Sequence, residues 1–353
     1  MLDRLVQIFN DSSSRVRRKL FGIYGVLIAF NLLAWLWALV AFRFHPVLLG
    51  SAVLAYGFGL RHAVDADHIA AIDNVTRKLM QENKRPVAVG LFFSLGHSTV
   101  VVLASVAVAF ATTAIQGRFD HLKDVGGIIG TVVSAVFLFA LALMNLLILR
   151  GIYRAWRNVR SGGAYVDDDF DMLLANRGLI ARLFRPLFRL VGRSSHMYPI
   201  GFLFGLGFDT ATEIGLLGIA ATQAAKGVSP WAIMVFPVLF SAGMSLIDTL
   251  DGHLMLGAYG WAYEKPLRKI YYNMTITFVS IVVAVVIGGI EALGLLADQF
   301  SLKGPVWDAI GSLNDNFGTL GYIIIGIFAL SWLGSVLIYR VKRFDDIETG
   351  QRV

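Results

Sequence analysis

The chain of 353 residues is 56% hydrophobic and 16% charged, and its mean hydropathy is +0.67. This composition is too apolar for a soluble protein of such length and indicates a polytopic membrane protein. Basic loops facing the cytoplasm explain the formal charge of +7 better than nucleic-acid binding does. The absence of cysteine excludes disulfides, thiolate chemistry and zinc fingers, and it limits any metal site to nitrogen and oxygen ligands, with methionine sulfur as a weak additional ligand.

A membrane-spanning helix needs about 20 mostly apolar residues. Eight segments meet this requirement and predict an all-α integral membrane protein with eight transmembrane helices. The predicted spans are residues 20–42, 47–73, 86–115, 125–149, 197–225, 230–258, 272–297 and 319–339. Because the N-terminus is charged and the first apolar run is long, we interpret that run as a retained span rather than a cleaved signal.

Basic residues are distributed unevenly among the segments between these spans. Alternate segments, starting with the N-terminus, hold 25 of the 31 lysines and arginines, the others hold five, and Arg61 lies within span two. Positive charge faces the cytoplasm, which predicts that both termini are cytoplasmic. The predicted organisation is an N-terminal half (1–149), a basic and amphipathic cytoplasmic loop (150–196) and a C-terminal half (197–353). The loop could be a linker or a regulatory element on the inner membrane surface.

The two halves contain similar short segments. Residues 93–98 of span three resemble residues 240–245 of span six, and residues 58–60 of span two resemble residues 204–206 of span five. A shift by three spans reverses the direction of the chain across the membrane, so these matches predict an inverted repeat relating spans two and three to spans five and six. Secondary transporters commonly use such repeats and bind substrate between them. Chance similarity between glycine-rich apolar helices is the alternative.

Span two carries a dense group of ionisable residues. Ionisable side chains at membrane depth are costly and usually functional. On an ideal helix, with about 100° between successive residues, His62, Asp65 and His68 lie on one face and Asp67 points elsewhere. This pattern predicts a transition-metal site built into one membrane helix. The simpler alternatives are that Asp67 bonds another helix and that Arg61 neutralises a carboxylate.

Other spans also carry unusual polar side chains. They are Asn31 in span one; Ser94, His97, Ser98 and Thr99 in span three; Asp209, Thr210, Thr212 and Glu213 in span five; and Ser245, Asp248, Thr249 and Asp251 in span six. Single serines, threonines and asparagines in membranes usually join helices. A whole set of carboxylates and imidazoles costs several kcal/mol per unpaired charge, and a bound dication would offset much of that. Imidazole with carboxylate favours Ni²⁺, Co²⁺, Zn²⁺ or Mn²⁺ over Mg²⁺ and Ca²⁺.

The energy source for transport is suggested by a missing motif. The sequence contains no Gly-x-x-x-x-Gly-Lys-Ser/Thr phosphate-binding loop, so this chain does not hydrolyse ATP by that route. A secondary carrier, or a permease driven by the membrane potential, is therefore expected. The sequence makes no prediction about the oligomeric state.

Four ordered segments resemble the signature motifs of the nickel/cobalt transporter (NiCoT) family. These segments are residues 61–69, 93–101, 206–213 and 243–251. The resemblance implies high-affinity uptake of Ni²⁺, Co²⁺ or both across a prokaryotic cytoplasmic (inner) membrane, with the metal as substrate and no resident cofactor. Val64 and Asn31 are similar to the nickel-preferring members of that family.

We expect His62, Asp65 and His68 to form the core of the metal site. Further ligands, or partners that orient the imidazoles, are Asp67, His97 and Asn31. The surrounding layer or the transport path is predicted to contain Arg61, Val64, Ser94, Ser98, Asp209, Thr210, Thr212, Glu213, Asp248, Thr249 and Asp251. Protons compete with metal for imidazole, so uptake should weaken as the pH falls into the range where free histidine protonates.

Two other functions are compatible with the same residues. One is an intramembrane metalloenzyme, a lipid hydrolase or phosphotransferase using Asp248 and Asp251, in which Ser98 beside His97 is the nearest candidate for a nucleophile and base. The other is a divalent-metal efflux carrier of similar architecture. Whether metal crosses the membrane, and in which direction, distinguishes the uptake carrier, the metalloenzyme and the efflux carrier.

Overall fold

The computed structural model describes residue 11 and residues 16–110, 113–160, 191–206, 211–262 and 266–341. Within these ranges the chain forms helices and no β-strand, which confirms the all-α prediction. The helices are α1 (Val16–Phe42), α2 (Pro46–His62), α3 (Ala66–Gln81), α4 (Val89–Phe110), α5 (Thr113–Arg160), α6 (Met197–Phe204), α7 (Ala211–Ala225), α8 (Pro230–Ile233), α9 (Val235–Ala262), α10 (Pro266–Gln299), α11 (Pro305–Asp315) and α12 (Phe317–Val341).

Four of the described helices begin at a proline. Pro46, Pro230, Pro266 and Pro305 are the first residues of α2, α8, α10 and α11. Proline is favoured there because its fixed backbone angle suits a helix and its missing N–H has no intrahelical partner in the first turn. Ser229 strengthens one of these starts, because its hydroxyl accepts a hydrogen bond from the Ala232 N–H.

The described helices identify a multi-pass membrane protein. Five segments are long and apolar enough to cross a bilayer alone: Val16–Phe42, Val89–Ala109, Val125–Arg154, Pro230–Ala258 and Met274–Gln299. Two bent pairs, α2 with α3 and α11 with α12, raise the number to seven if each pair is one span. The predicted fifth span coincides with α6 and α7, and residues 207–210 between them lie outside the described residues.

The fourth span is longer than predicted. Helix α5 continues to Arg160, so the residues from 150 to 160 extend this helix instead of starting a loop. Arginine is a good helix former, and the Gly162-Gly163 pair that follows Ser161 disfavours further extension. The amphipathic part of the predicted cytoplasmic loop, residues 173–190, lies outside the described ranges.

Span two is broken at the predicted metal motif. Helix α2 ends at His62, α3 begins at Ala66, and their axes differ by 50°. The connecting backbone turns tightly, with the Asp65 N–H donating to the His62 carbonyl at 2.9 Å. The prediction of one continuous helix through this motif was therefore wrong. The cause is tertiary, because Gly321 of α12 packs so closely that an added Cβ would lie 1.5 Å from the Val64 carbonyl oxygen.

Helix α3 is enclosed by protein even though its sequence is polar. Fourteen of its sixteen residues are buried, and they include Asp73, Asn74, Arg77 and Lys78. Neighbouring helices therefore shield these groups from lipid, which is how charged side chains persist at membrane depth. By contrast, α1 presents Leu32, which is 66% exposed, and similar apolar residues to its surroundings, as expected for a lipid-facing helix.

Two basic residues assigned to a cytoplasmic segment are instead buried on α3. Arg77 Nη1 donates to Thr277 Oγ1 of α10 at 3.0 Å, and its Nη2 donates to Asn74 Oδ1 at 3.0 Å. Lys78 Nζ donates to the Val191 carbonyl at 2.7 Å. These contacts join the C-terminal part of α3 to α10 and to the chain that leads into α6.

Two pairs of helices pack closely together at a glycine of one helix and a phenylalanine carbonyl of the other. A Cβ at Gly59 of α2 would lie 2.1 Å from the Phe240 carbonyl oxygen of α9. A Cβ at Gly201 of α6 would lie 2.0 Å from the Phe93 carbonyl oxygen of α4. Only glycine permits backbones to come this close. These contacts bring the broken span α2–α3 against α9, and α6 against α4.

Candidate metal centre

Three buried imidazoles meet in the interior, where α2, α3 and α4 come together. His62 ends α2, His68 lies in the first turn of α3, and His97 lies on α4. Their ring centroids are 4.6 to 4.9 Å apart, and none of the three residues is more than 2% exposed. Each histidine offers one ring nitrogen such that the three atoms lie within 4.8 Å of one another. The predicted association of His62 with His68 is thus present, although the bend in span two, not a shared helix face, creates it.

Asp65 orients the first imidazole. Its Oδ2 lies 2.9 Å from His62 Nδ1, and its side chain makes no capping bond to α3. With Nδ1 protonated and donating to this carboxylate, the lone pair of His62 is on Nε2, which is the nitrogen that could bind a cation. A carboxylate in this position fixes the ring and strengthens it as a ligand.

A carboxylate from α7 completes a group of three converging atoms. His62 Nε2 lies 3.0 Å from His97 Nε2, which in turn lies 2.8 Å from Glu213 Oε1. The Glu213 oxygen is 3.8 Å from His62 Nε2. Glu213 was predicted to belong to the transport path or to the layer around the site, and in the structure it contacts His97 directly.

These separations match the spacing of ligands around one transition-metal ion. With metal–ligand bonds of about 2.0–2.1 Å, ligands at right angles lie about 3 Å apart and opposite ligands about 4 Å apart. The distances among His62 Nε2, His97 Nε2 and Glu213 Oε1, from 2.8 to 3.8 Å, fall in this range. The two ring nitrogens and the carboxylate oxygen are all buried. A cation bound among them would compensate their negative charge.

Helix α9 contributes the next carboxylate. Asp248 Oδ1 lies 3.2 Å from His68 Nδ1, and both residues are fully buried. Phe93 packs edge-on against the His68 ring at 4.7 Å between centroids. Within the described residues, His68 Nε2 has no hydrogen-bond partner, so this nitrogen is available as a metal ligand.

Two residues predicted to be near the metal have other contacts. The Asn31 side chain donates to the Leu27 and Ala242 carbonyls at 2.9 and 3.3 Å and accepts from the Tyr56 hydroxyl at 3.0 Å. These bonds join α1 to α2 and α9, which is the role that asparagine usually has in membrane helices. Ser94 Oγ likewise donates to the Leu91 carbonyl of its own helix at 3.0 Å.

The residues that flank the break contact α12. Arg61 lies against α12, where a Cβ at Gly318 would be 3.0 Å from Arg61 Nη2. The Val64 carbonyl meets Gly321 one turn further along α12. Asp67, in the first turn of α3, is partly exposed, unlike Asp65. The structure thus places Arg61 and Val64 on the side of the break that packs against α12.

The remaining predicted residues fall into two groups. Asp209 and Thr210 lie outside the described residues, as does the side chain of Thr212. Ser98, Thr249 and Asp251 are buried, at 6%, 1% and 8% exposure. Within the described part of the chain, Ser98 Oγ makes no hydrogen bond, so it is not bonded to His97.

Sequence reasoning missed two polar residues close to this region, of which Asp73 is buried and His253 is half-buried. Asp73 was placed at the end of span two and not considered further, but it is fully buried and accepts a hydrogen bond from Ser280 at 2.9 Å. His253 on α9 contacts the Val87 carbonyl at 2.6 Å and the Tyr24 hydroxyl at 3.0 Å. Both residues could have been considered from their positions in the sequence. Asp73 lies five residues after His68, and His253 lies two residues after Asp251.

Comparison with known proteins identifies the family. Residues 48–338 match the family model described as high-affinity nickel-transport protein. The chain belongs to this family. The resemblance inferred from four sequence motifs is thereby confirmed, and no solved structure matches the chain.

Some relatives in the family are named for nickel transport and others for cobalt transport. The chain is 62% identical to a high-affinity nickel transport protein of Cupriavidus necator over 99% of both chains. It is 44% identical to the high-affinity nickel-transport protein NixA of Helicobacter pylori, over 85% of this chain and 90% of the relative. It is also 39% identical to the cobalt transport protein NhlF of Rhodococcus rhodochrous, over 92% of this chain and 94% of the relative.

Proposed function

We propose that this protein takes up Ni²⁺, and also Co²⁺, across the cytoplasmic membrane as a secondary carrier or permease. The observation that carries the proposal is the convergence of His62 Nε2, His97 Nε2 and Glu213 Oε1 in the protein interior. The metal is the substrate, and the imidazoles and carboxylates replace part of its hydration shell. Asp65 holds His62 in the orientation that binding requires.

The donor atoms support a borderline transition metal as substrate. Imidazole nitrogen with carboxylate oxygen suits Ni²⁺ and Co²⁺, whereas Mg²⁺ and Ca²⁺ prefer oxygen alone. The C. necator and H. pylori relatives are named for nickel, and the R. rhodochrous relative is named for cobalt. Nickel is the preferred substrate in this proposal because the relative of highest identity among these three is named for it.

The proposal includes eight spans with both termini in the cytoplasm. The seven spans obtained by counting each bent pair once, with α6 and α7 as an eighth, support this number. The halves are then residues 1–149 and 197–353, joined by the cytoplasmic segment 150–196. Since the chain lacks cysteine, single cysteines at exposed Ser301 and at Glu82 would test the orientation by labelling from outside and inside. Labelling of Glu82→Cys from outside would contradict it.

We also propose that spans two and three are related to spans five and six by an inverted repeat. The glycine contacts support it, because Gly59 meets Phe240 and Gly201 meets Phe93. A second pair of glycine contacts also relates spans two and six to spans five and three. A Cβ at Gly243 would lie 2.9 Å from the Tyr56 carbonyl oxygen, and one at Gly96 would lie 1.9 Å from that of Tyr198. In such a repeat the substrate is bound between the two units.

An enzyme built on the same carboxylates has less support. An activated nucleophile needs a base within hydrogen-bonding distance, and Ser98 Oγ has no such partner in the described residues. His97 Nε2 is instead directed at Glu213 and His62. Metal-dependent product formation in liposomes without metal movement would favour the enzyme.

The decisive experiment is uptake of ⁶³Ni²⁺ by proteoliposomes, with Co²⁺, Zn²⁺ and Mn²⁺ as competitors and with or without a pH gradient. We expect competition by Co²⁺ and loss of uptake in His62→Ala. His45→Ala is the matched control, because His45 is exposed outside α2. Normal uptake by correctly inserted His62→Ala protein would refute the site, and lower metal content in cells overexpressing the protein would indicate efflux.

A further inference from the structure

Three buried carboxylates continue from the histidines along α3 and α9. They belong to Asp248, which contacts His68, and to Asp251 and Asp73. Asp73 and Asp248 are fully buried, and Asp251 is 8% exposed. Three carboxylates in the interior of a membrane protein are a large energetic cost unless something compensates their charge.

The two helices that carry these carboxylates run side by side in the same direction. His68 of α3 meets Asp248 of α9. Four residues further along both helices, a Cβ at Gly252 would lie 3.5 Å from Ile72 Cγ2. Asp73 follows Ile72 on α3 and Asp251 precedes Gly252 on α9, so this contact brings the two carboxylates to the same side of the α3–α9 interface.

Oxygen atoms at this interface lack donors. Within the described residues, neither Asp248 Oδ2 nor Asp251 Oδ2 has a hydrogen-bond partner, although both atoms are buried. Asp73 is held differently, because Ser280 Oγ of α10 donates to its Oδ2 at 2.9 Å. Buried oxygens without donors that lie close to like charges are the environment in which a divalent cation is most strongly stabilised.

We propose that Asp73, Asp248 and Asp251 form a second, oxygen-lined site that receives the divalent metal from the histidine cluster, with Ser280 positioning Asp73. The inference rests on the proposed uptake function and adds a second station to it. His68 connects the stations, because it belongs to the cluster and its Nδ1 contacts Asp248. Asp73 follows His68 by five residues, about 7.5 Å along the helix axis.

The two stations differ in the strength with which they hold nickel. The first offers imidazole nitrogens, which Ni²⁺ prefers, and the second offers carboxylate oxygens alone. A metal ion that moves from the first to the second is therefore held more weakly and is easier to release. On the predicted topology this direction is inward, because span two and span six both run towards the cytoplasm.

Equilibrium ⁶³Ni²⁺ binding to the purified full-length protein, together with uptake by proteoliposomes, tests this inference. The wild type is expected to bind two ions, one tightly and one weakly. Asp73→Asn should keep the tight site, lose the weak one and lower the uptake rate about tenfold. His62→Ala should lose the tight site and keep the weak one. Asp308→Asn, on the exposed side of α11, is the matched control and should behave as the wild type.

Failure of this inference is distinguishable from failure of the proposed function. Wild-type protein that takes up nickel but binds a single ion, or Asp73→Asn protein with two sites and normal uptake, would overturn the second station alone. Wild-type protein that takes up no nickel would overturn the function. If Asp73→Asn does not fold, as judged by gel filtration, Ser280→Ala replaces it, and an unchanged weak site in that variant overturns the inference.

Discussion

His62 Nε2 and His97 Nε2 lie 3.0 Å apart in the protein interior, although 35 residues separate them in the chain. Two neutral imidazoles can share this distance only if one donates a proton to the other or if a cation lies between them. Glu213 Oε1, 2.8 Å from His97 Nε2, adds negative charge to the same point. This meeting of α2, α4 and α7 is the basis of the predictions that follow.

Removing the charge of Glu213 should weaken nickel binding. Glu213→Gln keeps the shape of the side chain but removes a carboxylate from the cluster, so we expect an affinity about 10- to 100-fold lower. Equilibrium ⁶³Ni²⁺ binding to purified protein measures it. Asp298→Asn, an exposed carboxylate at the end of α10, is the control and should leave the affinity unchanged. Wild-type affinity in Glu213→Gln would exclude this carboxylate as a ligand.

Asp65→Asn should lower nickel affinity with little effect on stability. Asp65 Oδ2 accepts from His62 Nδ1, whereas no side-chain bond joins Asp65 to the start of α3. The substitution therefore acts on the orientation and basicity of the imidazole, and about a tenfold loss of affinity is expected. Binding isotherms and melting temperatures, measured on the same preparation, separate the two effects. A large fall in melting temperature with unchanged affinity would contradict this role.

Gly321→Ala should disrupt span two. The new methyl group would lie 1.5 Å from the Val64 carbonyl oxygen, so α12 must move away from the break or the break must change. Overpacking of this kind costs about 1–3 kcal/mol, and we expect a lower melting temperature together with reduced uptake. Gly326→Ala is a matched control on the same helix, because nothing lies within 4 Å of its Cβ position. Equal melting temperatures in the two variants would show that α12 does not constrain the bend.

Nickel binding should weaken as the pH falls. Each imidazole must be neutral at the nitrogen that binds metal, so binding competes with protonation and the apparent affinity falls once protons occupy that nitrogen. For a ligand with the ordinary histidine pKa of about 6.5, the loss begins near that pH and steepens below it. Isotherms between pH 5 and 8 at fixed ionic strength, about the range in which histidine titrates, measure the effect. Affinity that rises on acidification would be inconsistent with imidazole ligands.

The sequence predicts the helices well because their signals are local. Long apolar runs predict most of the spans without reference to the rest of the chain. The cluster of histidines and aspartates in span two was recognisable for the same reason, since ionisable residues stand out against apolar neighbours. These features depend on residues that are close together in the sequence.

Features that depend on distant residues were not predictable. The break after His62 is stabilised by Gly321, and no proline or glycine between residues 62 and 66 announces it. Asp73, Arg77 and Lys78 extend a polar helix that looks unsuited to a membrane until the helices around it are known. The contact of Glu213 with His97 spans 116 residues and requires the arrangement of α4 and α7.

Helix α12, the last in the described part of the chain, shapes the candidate site but contributes no metal-binding side chain to it. Its Gly318 and Gly321 lie against Arg61 and Val64, on either side of the point where span two bends. During synthesis, the residues that we propose as metal ligands leave the ribosome long before α12 does. We therefore expect a growing chain to bring His62 and His68 into their final arrangement only once α12 has entered the membrane. An incomplete chain is accordingly expected to carry no metal across the membrane.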